Sequence, residues 1–249
     1  MILASQNLYG IIAIDNNWKI NDMWNLNVLA NGIAYHDGKI YLGDWKDIIV
    51  LDTKGKLLDR ISGNGYDNIH TINFFHDQLL VSSTSNDRIY LDGETLFEPK
   101  NAGYRKFVYL NSAILWRDST ILISARIPRH VIFFDIDKRK VERILHLPFL
   151  SNQHHPVPYM DHFLVSDGDG IVMFDIEGKP MEKSPPMAWP RGIKVLSRTK
   201  VLCVDRQSVM EWNPVTNMIN HKIDTPIDIL DNTTGNDYTG GALFDLVVV

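Results

Sequence analysis

Cysteine is almost absent from this sequence, since its 249 residues contain a single one, Cys203. One cysteine excludes a disulfide within the chain and a cysteine-rich zinc site. Cys203 lies in the apolar run 201–204, where a small buried side chain is the simplest interpretation. Because 45% of the residues are hydrophobic, ordinary burial can stabilise a sizeable core without cross-links.

A surplus of basic residues is also missing. The chain has 25 lysines and arginines against 30 aspartates and glutamates, and its net charge is −5. Proteins that bind nucleic acid use lysine and arginine to replace the counterions of many phosphates. The charge balance therefore predicts that nucleic acid is not a partner.

Long apolar runs are missing as well. No stretch approaches the roughly 20 apolar residues that a membrane-spanning helix needs. The first residues lack the basic segment and the apolar run of a secretory signal. We therefore expect no membrane association and a cytoplasmic location.

Sustained helical periodicity is absent, and short apolar runs bounded by glycine and aspartate take its place. The segment 163–179 predicts one strand (163–166), a tight Asp-Gly-Asp-Gly turn (167–170) and a second strand (171–175). The same pattern recurs along the chain at 40–52, 79–92, 121–135 and 201–212. These runs predict antiparallel hairpins.

The hairpins repeat with a regular period. An acidic or amide residue ends the third strand of each unit, at Asp15, Asp52, Asp92, Asp135, Asp175 and Asn213. Neighbouring members of this series are 37 to 43 residues apart. Several short strands in each repeat of about 40 residues are typical of propeller blades. The sequence therefore predicts an all-β, six-bladed β-propeller that forms a single domain over residues 1–249; a β-sandwich, the alternative, would not require this period.

The two ends of the chain predict how the ring closes. The first repeat is too short for a complete blade, and the strand predicted at 241–249 has no third-strand motif after it. We expect the last blade to be closed by pairing of the N-terminal strands with the C-terminal strand, which removes exposed edges.

This blade pattern, best seen in 163–179, resembles the blades of the NHL, TolB-like and gluconolactonase/paraoxonase-type propellers. The resemblance covers residues 5–223 and implies the six-bladed fold. Among the gluconolactonase-like members it would also imply an early acidic residue and Asn/Asp ligands around a central Ca²⁺. The early Glu-Gly-Pro signature of those members is missing here, so their activity is not implied.

In a propeller blade the innermost strand begins on the face where the second strand ends, so these positions converge at one mouth of the central channel. Counting back nine residues from the start of each second strand gives Asn31, His70, Ser112, His154 and Gly192, the last two adjoining His155 and Arg191. Counting forward gives Asp44, Ser83, Ala125, Asp167 and Asp205, with Arg126 next to Ala125 and Arg206 next to Asp205. These positions are more polar than the apolar strand interiors.

Convergent imidazoles can ligate a metal or transfer protons near neutral pH, and guanidinium groups match carboxylates and phosphates. The predicted catalytic residues are His70, His154 and His155. The predicted substrate-binding residues are Arg191, Arg126, Trp189 and Trp45. The predicted metal ligands are Asn31, His70 and His154. The alternative is that strand-end residues such as Asp44, Asp167 and Asp205 only bond their own turns.

Two functions remain open at this point. The first is a small-molecule enzyme with its site at the channel mouth, a metal-assisted hydrolase or lyase acting on an anionic metabolite. Its cofactor would be a divalent metal ion of unspecified identity, and no motif for a nucleotide or an organic cofactor is present. The second is a non-catalytic propeller that binds a protein or a ligand, because propellers carry many unrelated activities.

Overall fold

The computed structural model describes residues 1–6, 10–225 and 243–249, with the side chains of Gln6 and Phe244 left out. Within these residues the chain forms 24 strands and one short 3-10 turn, Pro99–Ala102. In chain order the strands are β1 (Ile2–Gln6), β2 (Gly10–Ile14), β3 (Ile20–Asn25), β4 (Ala30–His36), β5 (Lys39–Asp44), β6 (Asp47–Asp52), β7 (Leu57–Ile61), β8 (Ile69–Phe75), β9 (Gln78–Ser83), β10 (Arg88–Leu91), β11 (Glu94–Phe97), β12 (Leu110–Arg117), β13 (Thr120–Ala125), β14 (His130–Asp135), β15 (Lys140–His146), β16 (Pro156–Tyr159), β17 (His162–Asp167), β18 (Gly170–Phe174), β19 (Pro180–Lys183), β20 (Ile193–Ser197), β21 (Lys200–Val204), β22 (Ser208–Asn213), β23 (Met218–Asp224) and β24 (Leu243–Val248).

The strands form six four-stranded antiparallel sheets, which are the blades of a propeller. Blade 1 has the order β24-β1-β2-β3, and blades 2 to 6 are β4–β7, β8–β11, β12–β15, β16–β19 and β20–β23. The first strand of each blade is its inner strand, and neighbouring inner strands contact one another around the whole ring, including β24 with β4. The predicted fold, with six blades arranged around a channel, is confirmed.

The predicted closure of the ring is also confirmed. The C-terminal strand β24 is the inner strand of blade 1 and pairs antiparallel with β1, in a register that places Ile2 opposite Val248. The N-terminal amine donates a hydrogen bond to the Val249 carbonyl at 3.0 Å. Residues 241 and 242 of the predicted final strand lie outside the described residues.

Apolar side chains are buried between the blades. The buried residues form six hydrophobic clusters, each of which joins two neighbouring blades. Trp212, for example, is fully buried between blades 5 and 6. This explains why the second and third strands are nearly continuous apolar runs, since both of their faces pack against other blades. Outer strands such as β7 are largely exposed.

Three of the aspartates that mark the repeat, Asp15, Asp52 and Asp175, hold a turn in the same way, whereas Asp92 accepts from Leu79 N–H at the start of the second strand. Oδ1 of Asp52 accepts hydrogen bonds from the backbone N–H groups of Lys54 and Lys56, at 2.8 and 2.9 Å. Asp15 and Asp175 bind the residues two and four places further on in the same way. These backbone hydrogen bonds hold the pKa values of Asp15 and Asp52 below their usual range. In these three repeats the signature is therefore an Asx turn that joins the third strand to the fourth.

Each inner strand begins with a β-bulge, in which two residues lie opposite one residue of the second strand. The bulged pairs are 31–32, 70–71, 111–112, 154–155, 191–192 and 244–245. At residues 154–155, for example, Ser166 accepts from His154 N–H through its carbonyl and donates to the His155 carbonyl. A bulge bends the strand and changes the direction of its side chains.

The second residues of the bulges form a ring in which each blade contacts the next. The Ser112 hydroxyl donates to the His154 carbonyl at 3.3 Å, and the Asp245 carboxylate accepts from Ile33 N–H at 3.4 Å. A Cβ on Gly192 would lie 2.7 Å from the Asp245 Cα. The inner strands therefore approach one another most closely at this level of the channel.

No helix in the described part of the chain is long and apolar enough to cross a membrane.

Candidate functional site

The first residues of the bulges lie around one mouth of the channel. In blades 2 to 6 they are Asn31, His70, Asn111, His154 and Arg191. The sequence-based count gives three of these positions directly but is one residue too far in blades 4 and 6, where it gives Ser112 and Gly192. The reason is a second bulge at the other end of β12 and β20, which adds one residue between the inner and second strands.

His154 is held from one side by two donors. Its Nδ1 is 2.8 Å from the Asn111 side-chain amide nitrogen and 3.4 Å from the Arg191 guanidinium. Because a guanidinium can only donate, Nδ1 must be an acceptor, and the proton of the neutral ring lies on Nε2. That Nε2 is buried and has no hydrogen-bond partner among the described residues. Burial is the main cause that lowers the His154 pKa well below its usual value, followed by the charge of Arg191.

His70 lies in the same positively charged environment. It is 7% exposed, and its ring lies edge-on to the Tyr109 ring at a centroid distance of 6.2 Å. Burial lowers its pKa to about 3, with Arg191, His155 and Arg126 adding to the effect. No carboxylate of the described residues contributes to this shift. His70 is therefore an uncharged imidazole at neutral pH.

Arg191 and Arg126 each lie on an aromatic ring. The Arg191 guanidinium carbon is 4.5 Å from the centre of the Trp189 ring, and that of Arg126 is 5.0 Å from the Tyr109 ring. Arg206 also lies over Trp189, at 4.1 Å. These cation–π contacts hold the guanidinium groups at the mouth without neutralising their charge.

The aromatic rings are positioned by an uncommon backbone conformation. Tyr109 and Trp189 both have φ of 61°, and Asn68, at the corresponding place in blade 3, has φ of 58°. Each of them lies two residues before the first bulge residue. A positive φ is uncommon for residues other than glycine and costs of order 1 kcal/mol or more. The surrounding hydrogen bonds therefore hold these three residues in a strained turn that borders the mouth.

Asn31 contacts the site through Asn68. Its amide nitrogen donates to Asn68 Oδ1 at 3.3 Å, and its own Oδ1 is buried without a partner among the described residues. Trp45 lies on the same face, where its carbonyl accepts from Ile69 N–H, and its side chain is 40% exposed. Its ring stacks on no aromatic or cationic partner within the described part of the chain. The predicted stacking role of Trp45 stays a prediction.

His155 follows His154 but has different surroundings. It is 6% exposed and lines the central channel beyond the mouth. Burial lowers its pKa to about 4 and Arg191 adds to the shift, whereas the Arg191 carbonyl opposes it. The structure thus places two of the predicted catalytic histidines at the mouth and the third deeper in the channel.

The aspartates at the ends of the second strands hold loops. Asp167 accepts hydrogen bonds from the backbone N–H groups of Ser151 and Asn152, and Asp205 accepts from Ala188, Gln207 and Ser208. Asp44 binds Leu29 N–H and Arg60. These contacts match the interpretation of the three aspartates as structural turn residues, and they also fix the loops that lead into the mouth.

Few side chains at the mouth could act as ligands of a metal ion. Among the described residues, no group of three or more histidine, cysteine, aspartate or glutamate side chains lies close enough together to hold one. Asn31 Oδ1 is nevertheless a buried atom without a partner among the described residues, and it is a ligand type for divalent cations. Of the predicted set of Asn31, His70 and His154, the first two therefore offer suitable atoms, whereas the Nε2 of His154 carries the ring proton while Nδ1 accepts from Arg191, and two arginines oppose a cation.

The sequence-based count missed two residues that complete the site. Asn111 fixes the tautomer of His154, and Tyr109 holds the Arg126 guanidinium. Arg206, which the count places beside Asp205, lies over the Trp189 ring. A signal was present, because Asn111-Ser112 precedes an apolar strand in the same way as His154-His155 does. The inner strand of blade 1 could not be aligned by counting, since it comes from the other end of the chain.

Comparisons with known proteins identify the fold and no family. No family model matches the chain, and no curated protein is similar to it. A protein of unknown function from Bacteroides caccae is similar at 12% identity and a TM-score of 0.72, over 98% of this chain and 97% of that one. A chain of the nidogen/laminin complex is similar at 12% identity and a TM-score of 0.72, over 98% and 96%. An inactive histidine-to-alanine variant of virginiamycin B lyase from Staphylococcus aureus is similar at 13% identity and a TM-score of 0.58, over 79% and 70%. The resemblance to six-bladed propellers is thereby confirmed as a likeness of fold.

Proposed function

We propose that this propeller is a small-molecule enzyme whose site is the channel mouth, and that it acts on an anionic metabolite as a hydrolase or lyase. One observation carries the proposal. The guanidinium groups of Arg191 and Arg126 both act on the buried imidazoles of His70 and His154, so two guanidinium groups and two imidazoles lie together at one opening of the channel. This grouping supports an anion as the ligand, because guanidinium groups match the oxygens of carboxylates and phosphates.

The arrangement of donors favours a carboxylate or a phosphate over other anions. The guanidinium fork matches the oxygens of these groups, and Arg191 is held in place by Trp189. The Nε2 proton of His154 has no partner and can donate to the same anion. Three kinds of support thus converge on one ligand: fixed charge, an unpaired donor and exclusion of water by burial.

Binding of the anion would change the acidity of the histidines. The positive charge of the two arginines helps to depress the pKa values of His70 and His154. An anion between these groups offsets that charge and raises both pKa values toward neutrality, where proton transfer is most effective. In this mechanism His70 takes a proton from the substrate or from water and then gives it to the leaving group, while His154 donates a hydrogen bond from its Nε2 proton to the anion.

A metal-assisted form of the reaction uses the same atoms. His70, the Asn31 Oδ1 and His154 Nε2 would hold a divalent ion, and His154 would have to give up its Nε2 proton and its Nδ1 contact with Arg191 to do so. The ion would polarise the scissile bond or acidify a water molecule. The chain's own residues would still bind and orient the anion through Arg191 and Arg126. The likeness to a lyase propeller with an inactive histidine variant supports the proposal as a precedent for this chemistry on a similar fold.

The first experiment measures anion binding, with inorganic phosphate and citrate as probes in isothermal titration calorimetry. Arg191→Ala should weaken binding by at least about tenfold, since it removes a charge-assisted contact. Arg198→Ala is the matched control, because Arg198 is an exposed arginine of the same blade, and its affinity should change less than about twofold. Equal affinities in both variants would contradict the proposal.

The second experiment tests catalysis and metal content together. Wild-type protein and the His70→Ala/His154→Ala variant are screened for hydrolysis and elimination of phosphate esters, lactones and hydroxy acids, and their metal content is measured by mass spectrometry. Turnover that is lost in the folded variant supports the enzyme. Stoichiometric metal that is lost with it supports the metal-assisted form. Anion binding without turnover of any substrate would favour the binding module instead.

A further inference from the structure

A cavity of about 500 Å³ occupies the central channel beyond the mouth. Residues that follow the bulges line it, and all six inner strands contribute. The lining residues include one from each inner strand in turn: Ile33, Asn73, Ile114, Val157, Val195 and Val247. The volume is in the range of sites that enclose small molecules.

The wall of the cavity offers hydrogen bonds as well as apolar contacts. In all six sheets the inner strand is an end strand, so one of its edges has no partner strand within the described residues. Backbone N–H and C=O groups along such an edge need partners from water or from a ligand. The branched side chains of Ile33, Ile114 and Val157 provide apolar surface beside them.

His155 is the deepest unsatisfied group in this wall. Its side chain is buried, and the Arg191 carbonyl is near enough to oppose the lowering of the ring's pKa, but neither Nδ1 nor Nε2 meets full hydrogen-bond geometry with a described residue. A neutral imidazole has one donor and one acceptor, and a buried polar atom without a partner costs about 1–3 kcal/mol. Nearly all such atoms in native proteins are paired, so the two ring nitrogens indicate a missing partner.

We propose that the cavity is a second ligand site, which binds a small uncharged molecule with an apolar body and a head group that donates and accepts hydrogen bonds at His155. An amide or a hydroxyl compound has this chemistry. The site differs from the mouth in residues and in ligand class, because it uses the second residues of the bulges rather than the first.

The surroundings of the cavity disfavour charge. Burial lowers the pKa of His155 to about 4 and raises the pKa of Asp245, in the same wall, to about 7, so the neutral form of each group is favoured. Lys194 is an exposed charge in the lining and acts on Asp245, and Arg191 is the charged group that acts on His155. A charged ligand would have to compete with the interaction of Lys194 as well as lose its hydration, whereas an uncharged one would not.

Histidine side-chain NMR tests the proposal on the wild-type protein. The probes are benzamide and benzyl alcohol, which are uncharged, and benzoate and benzylammonium, which are charged compounds of similar size. The two uncharged probes should shift the ring resonances of His155 with saturation, and the charged probes should bind at least about tenfold more weakly. Absence of a His155 shift with either uncharged probe would overturn the site, and equal binding of benzoate would overturn the ligand class.

Two neighbouring histidines provide the matched variants. His155→Phe keeps a flat ring but removes both unpaired nitrogens, and it should weaken benzamide binding by about tenfold. His154→Phe changes the adjacent residue, which faces the mouth, and should leave benzamide affinity within about twofold. Phosphate titrations of the same samples report the mouth separately, so loss of one site is distinguished from loss of the other. Equal benzamide affinity in wild type and a folded His155→Phe variant would refute the role of His155.

Discussion

Asp245 gives a quantitative test of how the ring is closed. It lies on the C-terminal strand β24 and is 8% exposed. Its carboxylate accepts hydrogen bonds from Leu246 N–H at 2.8 Å and, across the junction with blade 2, from Ile33 N–H at 3.4 Å. Burial nevertheless dominates and raises its pKa from 3.8 to about 7. Replacing it by asparagine keeps the shape and removes the titration.

The sign of the effect follows from proton linkage. Between these two pKa values the folded protein keeps the proton and the unfolded chain has lost it, so stability falls as the pH rises. The difference between the two pKa values of Asp245 corresponds to a loss of about 4 kcal/mol in the free energy of unfolding once the pH exceeds both values. Roughly 2 to 3 kcal/mol of this loss occurs between about pH 5 and pH 8. The buried histidines contribute in the opposite direction, because their pKa values are lowered.

Urea unfolding of the wild-type protein and of Asp245→Asn at about pH 5 and pH 8 measures the effect. Comparing the two proteins cancels the other titrating groups. The advantage of the asparagine variant should grow by roughly 2 to 3 kcal/mol from the lower pH to the higher one. A difference between the two proteins that stays constant with pH would refute the reasoning, and one that shrinks would show that Lys194 or the Ile33 contact holds Asp245 charged.

Three further predictions concern the core and the mouth. Gly192→Ala should destabilise the fold by about 1–3 kcal/mol in urea unfolding, because the new Cβ would lie 2.7 Å from the Asp245 Cα; unchanged stability would contradict this close approach. Asn111→Asp should raise the pKa of His154, because it places a carboxylate on Nδ1, and an NMR titration that matches wild type would be inconsistent with the contact. Cys203, whose thiol is fully buried with a raised pKa, should react with a disulfide reagent only after unfolding, and rapid labelling of the native protein would disprove this.

The repeat could be identified from the sequence because each of its signals is local. Asp52 and Asp175 mark turns that they build with their own backbone neighbours, and the apolar runs between them reflect strands buried on both faces. Ring closure could be predicted because the first repeat lacks a strand and the last strand lacks a partner, so pairing them completes one blade. Both the repeat and the closure of the ring could thus be inferred by comparing each repeat with the others.

The mouth could be predicted only in part. Counting from strand to strand locates Asn31, His70 and His154, since their blades have the same spacing. In blades 4 and 6 a single extra residue moves the count from Asn111 and Arg191 to their neighbours. A bulge of this kind has no sequence signature, because it depends on how the strand packs against the next blade.

The sequence by itself determined the number of blades, the strand order within each blade and the polar character of one end of the channel. These follow from hydrophobic period and turn chemistry, which act over a few residues. Only the tertiary structure decided that His154 faces the mouth while His155 lines the cavity. It also decided that the Asp245 carboxylate accepts a hydrogen bond from the backbone N–H of Ile33, which lies more than 200 positions earlier in the chain. The physical reason is that side-chain direction at a bulge and burial of charge depend on neighbouring blades, which the local sequence does not encode.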